Sequence, residues 1–154
     1  MTIFARRSFL ITSTLGAGAL LAGCMGEEAA AVLAVSAQGR AGMNPGPGGA
    51  DRPVTISVLQ LASAAAFDSA DYFALQDPAS ALGSDLIRAD QLVLAPGGSA
   101  SKAITIQPGT SVIGVVGGFR TPAGRTVRSK IAAPGANSGL IINVGAGGLS
   151  LARA

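Results

Sequence analysis

The composition of this 154-residue chain removes most side-chain chemistry, because it contains no histidine, no tryptophan and a single cysteine, Cys24. A histidine-based zinc site, a Ser-His-Asp or Cys-His nucleophile and an intrachain disulfide are therefore excluded. Of the 11 Lys and Arg residues, Arg6 and Arg7 lie in the N-terminal leader; the remaining nine nearly balance eight Asp and Glu, which argues against a nucleic-acid-binding surface and favours a binding protein without metal or cofactor.

The N-terminus has the layout of a secretory signal: two arginines followed by an uncharged apolar stretch over residues 9–22. This stretch is shorter than the roughly 20 residues that a spanning helix needs. It ends in Leu21, Ala22, Gly23 and Cys24, which resemble the bacterial lipobox, where the cysteine thiol is joined to diacylglycerol and the chain is cut before it. We therefore expect residues 1–23 to be a lipoprotein signal peptide and residues 24–30 to form a lipidated tether. A plain signal peptide with a stray cysteine is the alternative.

The mature chain begins with two strand patterns separated by a long loop. In "AVLAVSAQG", Leu33 and Val35 share one face, and the strand stops at Gly39. The stretch from Arg40 to Pro53 is crowded with Gly, Pro, Asn and Asp, so we predict a long exposed loop there. In residues 54–61, "VTISVLQL", the apolar residues Val54, Ile56 and Val58 alternate with Thr55 and Ser57, which is the two-residue period of a half-buried strand.

A helical insertion is predicted at about residues 63–83, because the apolar period changes after the second strand. Residues 63–77 are expected to form a helix capped by Ser63. Three residues share its apolar face: Phe67, Ala70 and Ala74. Asp77 followed by Pro78 indicates the start of a second short helix, which Gly83 ends.

Strand patterns then return for the rest of the chain. They lie at residues 90–94, 102–107, 111–119, 125–131, 139–144 and 149–151. The segment 111–119, "SVIGVVGGF", is apolar on both faces, which indicates a strand packed on two sides with glycines that let a neighbour approach closely. Eight strand patterns with one helical insertion predict an all-β fold over residues 31–154, a sandwich of two antiparallel sheets.

A carboxylate pair is the first candidate site. Asp68 and Asp71 lie three residues apart on the predicted helix, the spacing that would bring two carboxyl groups together for acid-base chemistry. Both fall in the first half of the helix, where acidic residues complement the helix dipole. We therefore assign them a structural role and predict no catalytic residue and no enzymatic activity.

A basic cluster on a predicted hairpin is the second candidate. It consists of Arg120, Arg125, Arg128 and Lys130. The cluster is either a solvated hairpin face or a secondary contact for an acidic partner or lipid headgroups.

The loop between the first two strands is the third candidate, because long loops without secondary structure are usually functional or disordered. Its candidate partner-binding residues are Arg40, Met43, Asn44, Pro45, Pro47, Asp51, Arg52 and Pro53. Prolines reduce the entropy that docking costs, and the backbone groups of the loop are expected to be available to a partner.

Several segments, in this order, resemble the TssJ lipoproteins of bacterial type VI secretion systems. They are the lipobox, "NPGPGGADRPVTISVLQL", "FDSADYFAL", the "LAPG" turn and "IGVVGGFR". Three positions depart from the family pattern: Leu59 stands where an aromatic is frequent, Thr121 where an acid is common and Val127 where tryptophan is frequent.

The resemblance implies a transthyretin-like sandwich tethered to the inner leaflet of the outer membrane and facing the periplasm; Met25, where an aspartate would signal inner-membrane retention, agrees with that destination. It also implies a structural role in the TssJ-TssL-TssM membrane complex, with the periplasmic domain of TssM bound partly through Arg40 to Pro53. The alternative is a periplasmic lipoprotein that carries a small ligand in a pocket lined by Phe67, Phe73 and Phe119.

Overall fold

Eight strands form two sheets that pack face to face in the computed structural model, which describes residues 29–154. In chain order they are β1 (Val32–Gly39), β2 (Val54–Leu61), β3 (Leu86–Leu94), β4 (Ser99–Thr105), β5 (Val112–Gly117), β6 (Arg128–Ala132), β7 (Ser138–Gly145) and β8 (Gly148–Arg153). The strand order is β4-β1-β7-β8 in one sheet and β3-β2-β5-β6 in the other. The predicted all-β sandwich of two sheets is confirmed.

One strand pairing differs from the predicted purely antiparallel sheets. β1 and β7 run parallel, with Val35 opposite Leu140, whereas the other neighbouring pairs are antiparallel. A parallel pair requires a long connection between its strands. Here residues 40–137, which include the whole second sheet, provide that connection, so no local turn signal marks the pairing.

The strands bury the residues that their periodicity predicts. In β1, Leu33 and Val35 are buried between the sheets while Ala34 is exposed. In β2 the alternation stops after Ser57, and every residue from Val58 to Leu61 is buried. Both faces of this half of β2 are covered, one by the opposite sheet and one by the helical insertion.

The insertion between β2 and β3 holds two short helices, α1 (Ala65–Ser69) and α2 (Pro78–Leu82), with 3-10 turns at Ala74–Gln76 and Gly83–Asp85. The predicted single helix over residues 63–77 is wrong, because the chain becomes extended at Ala70 (φ −68°, ψ 144°). Arg128 donates hydrogen bonds to the carbonyls of Phe67 and Ala70, which replaces the helical partners that these groups would otherwise need.

The predicted second helix is confirmed: Pro78 is its first residue, and it ends at Gly83, whose φ of 52° suits glycine. The N-cap of α1 is Ala64 and not Ser63; the Ser63 hydroxyl nevertheless accepts a hydrogen bond from the Ala65 N–H at 3.2 Å.

Phe67 anchors the insertion to the outer face of the second sheet. Its ring is 1% exposed, and burial of a side chain of this size stabilises the fold by about 1.5–3 kcal/mol. The other buried residues of this cluster are Leu59, Leu61, Leu75, Leu82 and Val116. Gly114 makes room for the ring, because a methyl group there would lie 2.8 Å from it. The predicted close approach at the β5 glycines is confirmed.

The sandwich has two opposite ends, which position the candidate sites. We call "tether end" the end formed by residues 29–31, 106–111 and 133–137, where β1 and β7 begin. We call "loop end" the end formed by residues 40–53, 118–127 and 145–147, where β1 and β7 finish. Strands of this length separate the two ends by about 25 Å.

Candidate partner-binding surface

The lipobox, Leu21, Ala22, Gly23 and Cys24, lies outside the described residues 29–154, so acylation of Cys24 stays a prediction. The described residues show where the chain that leads to Cys24 joins the sandwich. The Val32 N–H donates to Asn137 Oδ1 at 2.8 Å, and the Ile106 N–H donates to the Ala31 carbonyl at 2.8 Å. These bonds hold the start of β1 at the tether end, so the chain from Cys24 enters the sandwich there.

The loop from Arg40 to Pro53 lies at the loop end, and it is not exposed throughout, contrary to the sequence prediction. Met43 is 0% exposed and belongs to the main core, and Asn44 is 5% exposed. Gly39 explains how the methionine fits, because a methyl group on this glycine would lie 2.6 Å from the Met43 sulfur. The base of the loop is therefore part of the sandwich.

Two polar side chains fix the shape of the loop. The Asp51 carboxylate accepts hydrogen bonds from the N–H groups of Gly42 (2.8 Å) and Asn44 (3.1 Å). The Asn44 amide donates to the Pro53 carbonyl at 3.1 Å and accepts from the Arg120 N–H at 2.9 Å. These contacts give hydrogen-bond partners to backbone N–H and C=O groups that burial would otherwise leave unpaired. They also hold the loop in one conformation.

Only the tip of the loop projects from this frame. Pro45 and Asp51 form an antiparallel bridge, and the Gly46 N–H donates to the Ala50 carbonyl at 2.7 Å. The tip residues beyond this closure, 47–50, are exposed. Among the predicted binding residues, Arg40, Pro47, Arg52 and Pro53 are also exposed, so these side chains are the ones that a partner can reach.

Arg125 ties the loop to the turn between β7 and β8. Its Nη1 lies 3.0–3.4 Å from four carbonyl oxygens, those of Gly42, Met43, Gly145 and Ala146. The two N–H bonds of this nitrogen must be shared among the four acceptors. Its Nε donates to the Thr121 carbonyl, and the guanidinium lies over the Phe119 ring, 5.7 Å from the centroid.

The predicted basic cluster is therefore divided by the fold. Arg125 and Arg128 bind backbone carbonyls of their own chain, and Lys130 forms an ion pair with Asp68. The solvated-face interpretation is wrong for Arg125 and Arg128, whereas Lys130 and its partner Asp68 are both exposed. Arg120 differs from the other three because its exposed side chain has no partner within residues 29–154 and only its backbone N–H is engaged.

The carboxylate pair and the aromatic pocket are not assembled as sites. Asp68 and Asp71 are both exposed, and Asp68 is engaged by Lys130. Phe67 and Phe119 are buried in two different clusters, while Phe73 is 71% exposed. The three rings do not line a common cavity, which removes the pocket on which the ligand-carrier alternative depends.

Tyr72 is a residue whose role sequence reasoning missed. Its hydroxyl donates to the Phe119 carbonyl at 2.9 Å and accepts from the Phe119 N–H at 2.8 Å. These two hydrogen bonds to one residue hold the insertion against the loop end. Burial raises the pKa of the Tyr72 hydroxyl above its usual value, and the hydrogen bond with the Phe119 backbone partly offsets that rise.

Gln60, also missed, joins the two sheets near the tether end. It is buried in β2; its amide donates to the Thr105 carbonyl at 3.0 Å and accepts from the Gln107 N–H at 2.7 Å. The available signal in the sequence was a polar residue between two leucines, Leu59 and Leu61.

Within residues 29–154, no three His, Cys, Asp or Glu side chains come together as a metal-ligand set. None of its helices has the length and apolar character that crossing a bilayer requires.

Solved structures with the same fold come from type VI secretion. The lipoprotein TssJ1 from Pseudomonas aeruginosa is 28% identical (TM-score 0.74), with 81% of this chain and 97% of that chain covered. A chain of a type VI membrane complex is 26% identical (TM-score 0.71; 80% and 98% covered). A chain in the structure of the T6SS protein TssM C-terminal domain from EAEC is 24% identical (TM-score 0.65; 80% and 98% covered), a likeness that shows the fold alone.

No curated protein is similar enough to this chain to count as a match. The family model T6SS-SciN, described as the type VI secretion lipoproteins VasD, EvfM and TssJ, matches residues 31–147. This match covers β1 to β7, both helices and the loop end. The chain belongs to the TssJ family of type VI secretion lipoproteins.

Proposed function

We propose that this protein anchors the trans-envelope complex of a type VI secretion system to the outer membrane. Acylated Cys24 inserts in the inner leaflet, the sandwich faces the periplasm, and the loop end binds the periplasmic domain of TssM in the TssJ-TssL-TssM complex. The role is structural and requires no cofactor. Family membership and the likeness to a chain of a type VI membrane complex support this proposal.

One observation carries the proposal: the start of β1 and the loop are at opposite ends of the sandwich. The chain leading to Cys24 leaves from Val32, whereas the loop follows the last residue of β1, Gly39. A tether over residues 24–30 spans at most about 25 Å when extended, and the strands add about 25 Å more. A lipid anchor at Cys24 would thus direct the loop end away from the membrane, toward a partner that crosses the periplasm.

The fixed shape of the loop supports the same assignment. Loop ordering on binding opposes association, so a loop that is already ordered binds with a smaller entropic cost. Asn44, Asp51 and Arg125 order the loop before any partner arrives. The exposed tip is then presented on a rigid base.

The test uses the full-length chain expressed in a host that carries the secretion system. Cys24→Ser should move the protein from the membrane to the soluble periplasmic fraction while leaving its affinity for the TssM periplasmic domain unchanged. A control, Ser36→Ala on the exposed face of β1, should stay in the membrane fraction. Membrane association that survives Cys24→Ser contradicts the anchor, and failure of the native chain to bind TssM contradicts the partner.

A further inference from the structure

Three arginines at the loop end have no intramolecular partner for their charge among residues 29–154. Arg40, Arg52 and Arg120 are exposed, and their guanidinium groups form no ion pair or hydrogen bond within that range. The ion pairs described within residues 29–154 are formed by Asp90 and by Asp68, and they lie elsewhere on the sandwich. The loop end therefore carries a set of cations that the fold itself does not use.

Asn44 places two of these arginines on one rim. Its carbonyl accepts from the Arg52 N–H at 2.8 Å, and its side-chain oxygen accepts from the Arg120 N–H at 2.9 Å. The Arg52 side chain also runs against Gly46, where a methyl group would lie 2.6 Å from its Nε. The backbone positions of both arginines are thus fixed by the same buried residue.

Arg40 borders an open cavity of about 380 Å³ at the same end. The residues that line the cavity include the polar residues Thr126, Asn143 and Ser150. A cation next to hydroxyl and amide groups matches the hydrogen-bonding needs of a carboxylate. The cavity is large enough for an aspartate or glutamate side chain from a partner.

The carboxylates near this surface offset its charge only in part. The residues of the loop end include four arginines, Arg40, Arg52, Arg120 and Arg125, and one carboxylate, Asp51, whose oxygens accept from backbone N–H groups of the loop. Four positive charges and one negative charge leave the loop end with a net charge of +3. Asp71 and Asp77 lie on the neighbouring insertion.

We infer that the loop end docks against an acidic surface of its partner, with Arg40, Arg52 and Arg120 supplying the cationic contacts. This inference rests on the proposed function, in which the partner is the periplasmic domain of TssM. Complementary charge speeds association and favours the correct partner over others. The arginines would thus select and orient the partner before the loop tip makes its close contacts.

An anionic membrane is the other surface that could take these charges. The position of the tether argues for a protein, because the chain toward Cys24 leaves from the opposite end of the sandwich. The arginines would then be about 25 Å or more from the anchored leaflet, well beyond the Debye length of about 8 Å at physiological salt.

The test compares two double variants of the full-length chain in detergent that each remove two positive charges. Arg52→Gln/Arg120→Gln removes charge from the loop end, and Arg88→Gln/Arg153→Gln removes charge elsewhere. Binding to immobilised TssM periplasmic domain is measured between about 50 and about 500 mM NaCl. We expect the loop-end variant to associate about tenfold more slowly at low salt with a weaker salt dependence, and the control to behave as the native chain.

Equal association rates for both double variants overturn this inference and leave the proposed function intact. A native chain that does not bind TssM overturns both. In a parallel arm, the same chains are sedimented with phosphatidylglycerol vesicles. Charge-dependent binding to vesicles together with salt-independent binding to TssM overturns the assignment to a protein surface. Arg40→Gln, added to the loop-end variant, should slow association further if the cavity accepts a carboxylate, and no further change contradicts that contact.

Discussion

The Asn44 side-chain oxygen accepts a hydrogen bond from the Arg120 N–H at 2.9 Å, although 76 residues separate the two in the chain. This bond fastens the loop between β1 and β2 to the connection between β5 and β6. The same amide donates to the Pro53 carbonyl at 3.1 Å. One buried side chain therefore closes the base of the loop and fixes the position of an exposed arginine.

Asn44→Ala should lower the free energy of unfolding by about 1–3 kcal/mol, because the Arg120 N–H and the Pro53 carbonyl lose a buried partner. Urea denaturation followed by circular dichroism measures the change. Gln38→Ala, at an exposed position of β1, is the matched control and should stay within about 0.5 kcal/mol of the native chain. Equal stability of the two variants would show that water replaces the amide without cost.

Arg125→Lys should destabilise the fold by about 1–3 kcal/mol despite the conserved charge. The Nη1 of Arg125 reaches carbonyls from both the loop and the β7–β8 turn, and its Nε reaches Thr121. A lysine ammonium is a single point donor and lacks the planar fork. Arg120→Lys makes the same change on an exposed side chain, so thermal melts of the two variants should differ; identical melting temperatures argue against Arg125 as the residue that joins these segments.

The loop tip and the loop base should respond differently to mutation. Replacing residues 46–50 by Asn-Gly leaves the Pro45–Asp51 bridge closed by a two-residue hairpin. We expect the free energy of unfolding to stay within about 0.5 kcal/mol and the affinity for the TssM periplasmic domain to fall about tenfold or more.

Met43→Ala provides the contrast for that experiment. It empties a fully buried position and should cost about 2–5 kcal/mol of stability. Removal of the whole loop would mix this loss with any loss of binding. Unchanged affinity of the shortened tip, in a chain as stable as the native one, would place the partner contact outside the tip.

Local patterns were enough to predict the strands of this fold. β2 spans Val54–Leu61, the same residues as the predicted strand, and β1 ends at Gly39 as expected. Periodicity and turn residues act within a few positions, so they can be read without knowledge of the partners. The parallel pairing of β1 with β7 depends on residues about a hundred positions apart and had no such signal.

The roles of the arginines could not be predicted for a related reason. Arg125 binds the Gly42 carbonyl 83 residues away, and Arg128 binds the Phe67 carbonyl 61 residues away. In a sequence, a basic hairpin has the same pattern whether its side chains face water or backbone carbonyls. The long loop was likewise predicted to be exposed because Gly, Pro, Asn and Asp favour turns, whereas Asn44 and Asp51 use that turn chemistry to hold the loop against the sandwich.

Tyr72 should make the protein sensitive to alkaline pH. Burial raises the pKa of its hydroxyl in the folded chain above the usual value of 10.0, so the folded state holds this proton more tightly than the unfolded state does. The stabilisation is complete below pH 10.0 and is lost as the pH rises through the folded-state pKa. An ionised Tyr72 could still accept from the Phe119 N–H, but its charge would repel the Phe119 carbonyl, 2.9 Å away.

Urea unfolding between about pH 8 and about pH 11 checks this expectation. The free energy of unfolding of the native chain should fall more steeply above about pH 10 than that of Tyr72→Phe. Below that range the variant should be the less stable of the two by about 1–3 kcal/mol, because the Phe119 backbone groups lose their partner. All other side chains are the same in both proteins, so their effects cancel in the difference between the curves. Parallel curves would mean that the hydroxyl is as accessible to water in the folded chain as in the unfolded one, and that the contact with Phe119 does not hold the insertion to the loop end.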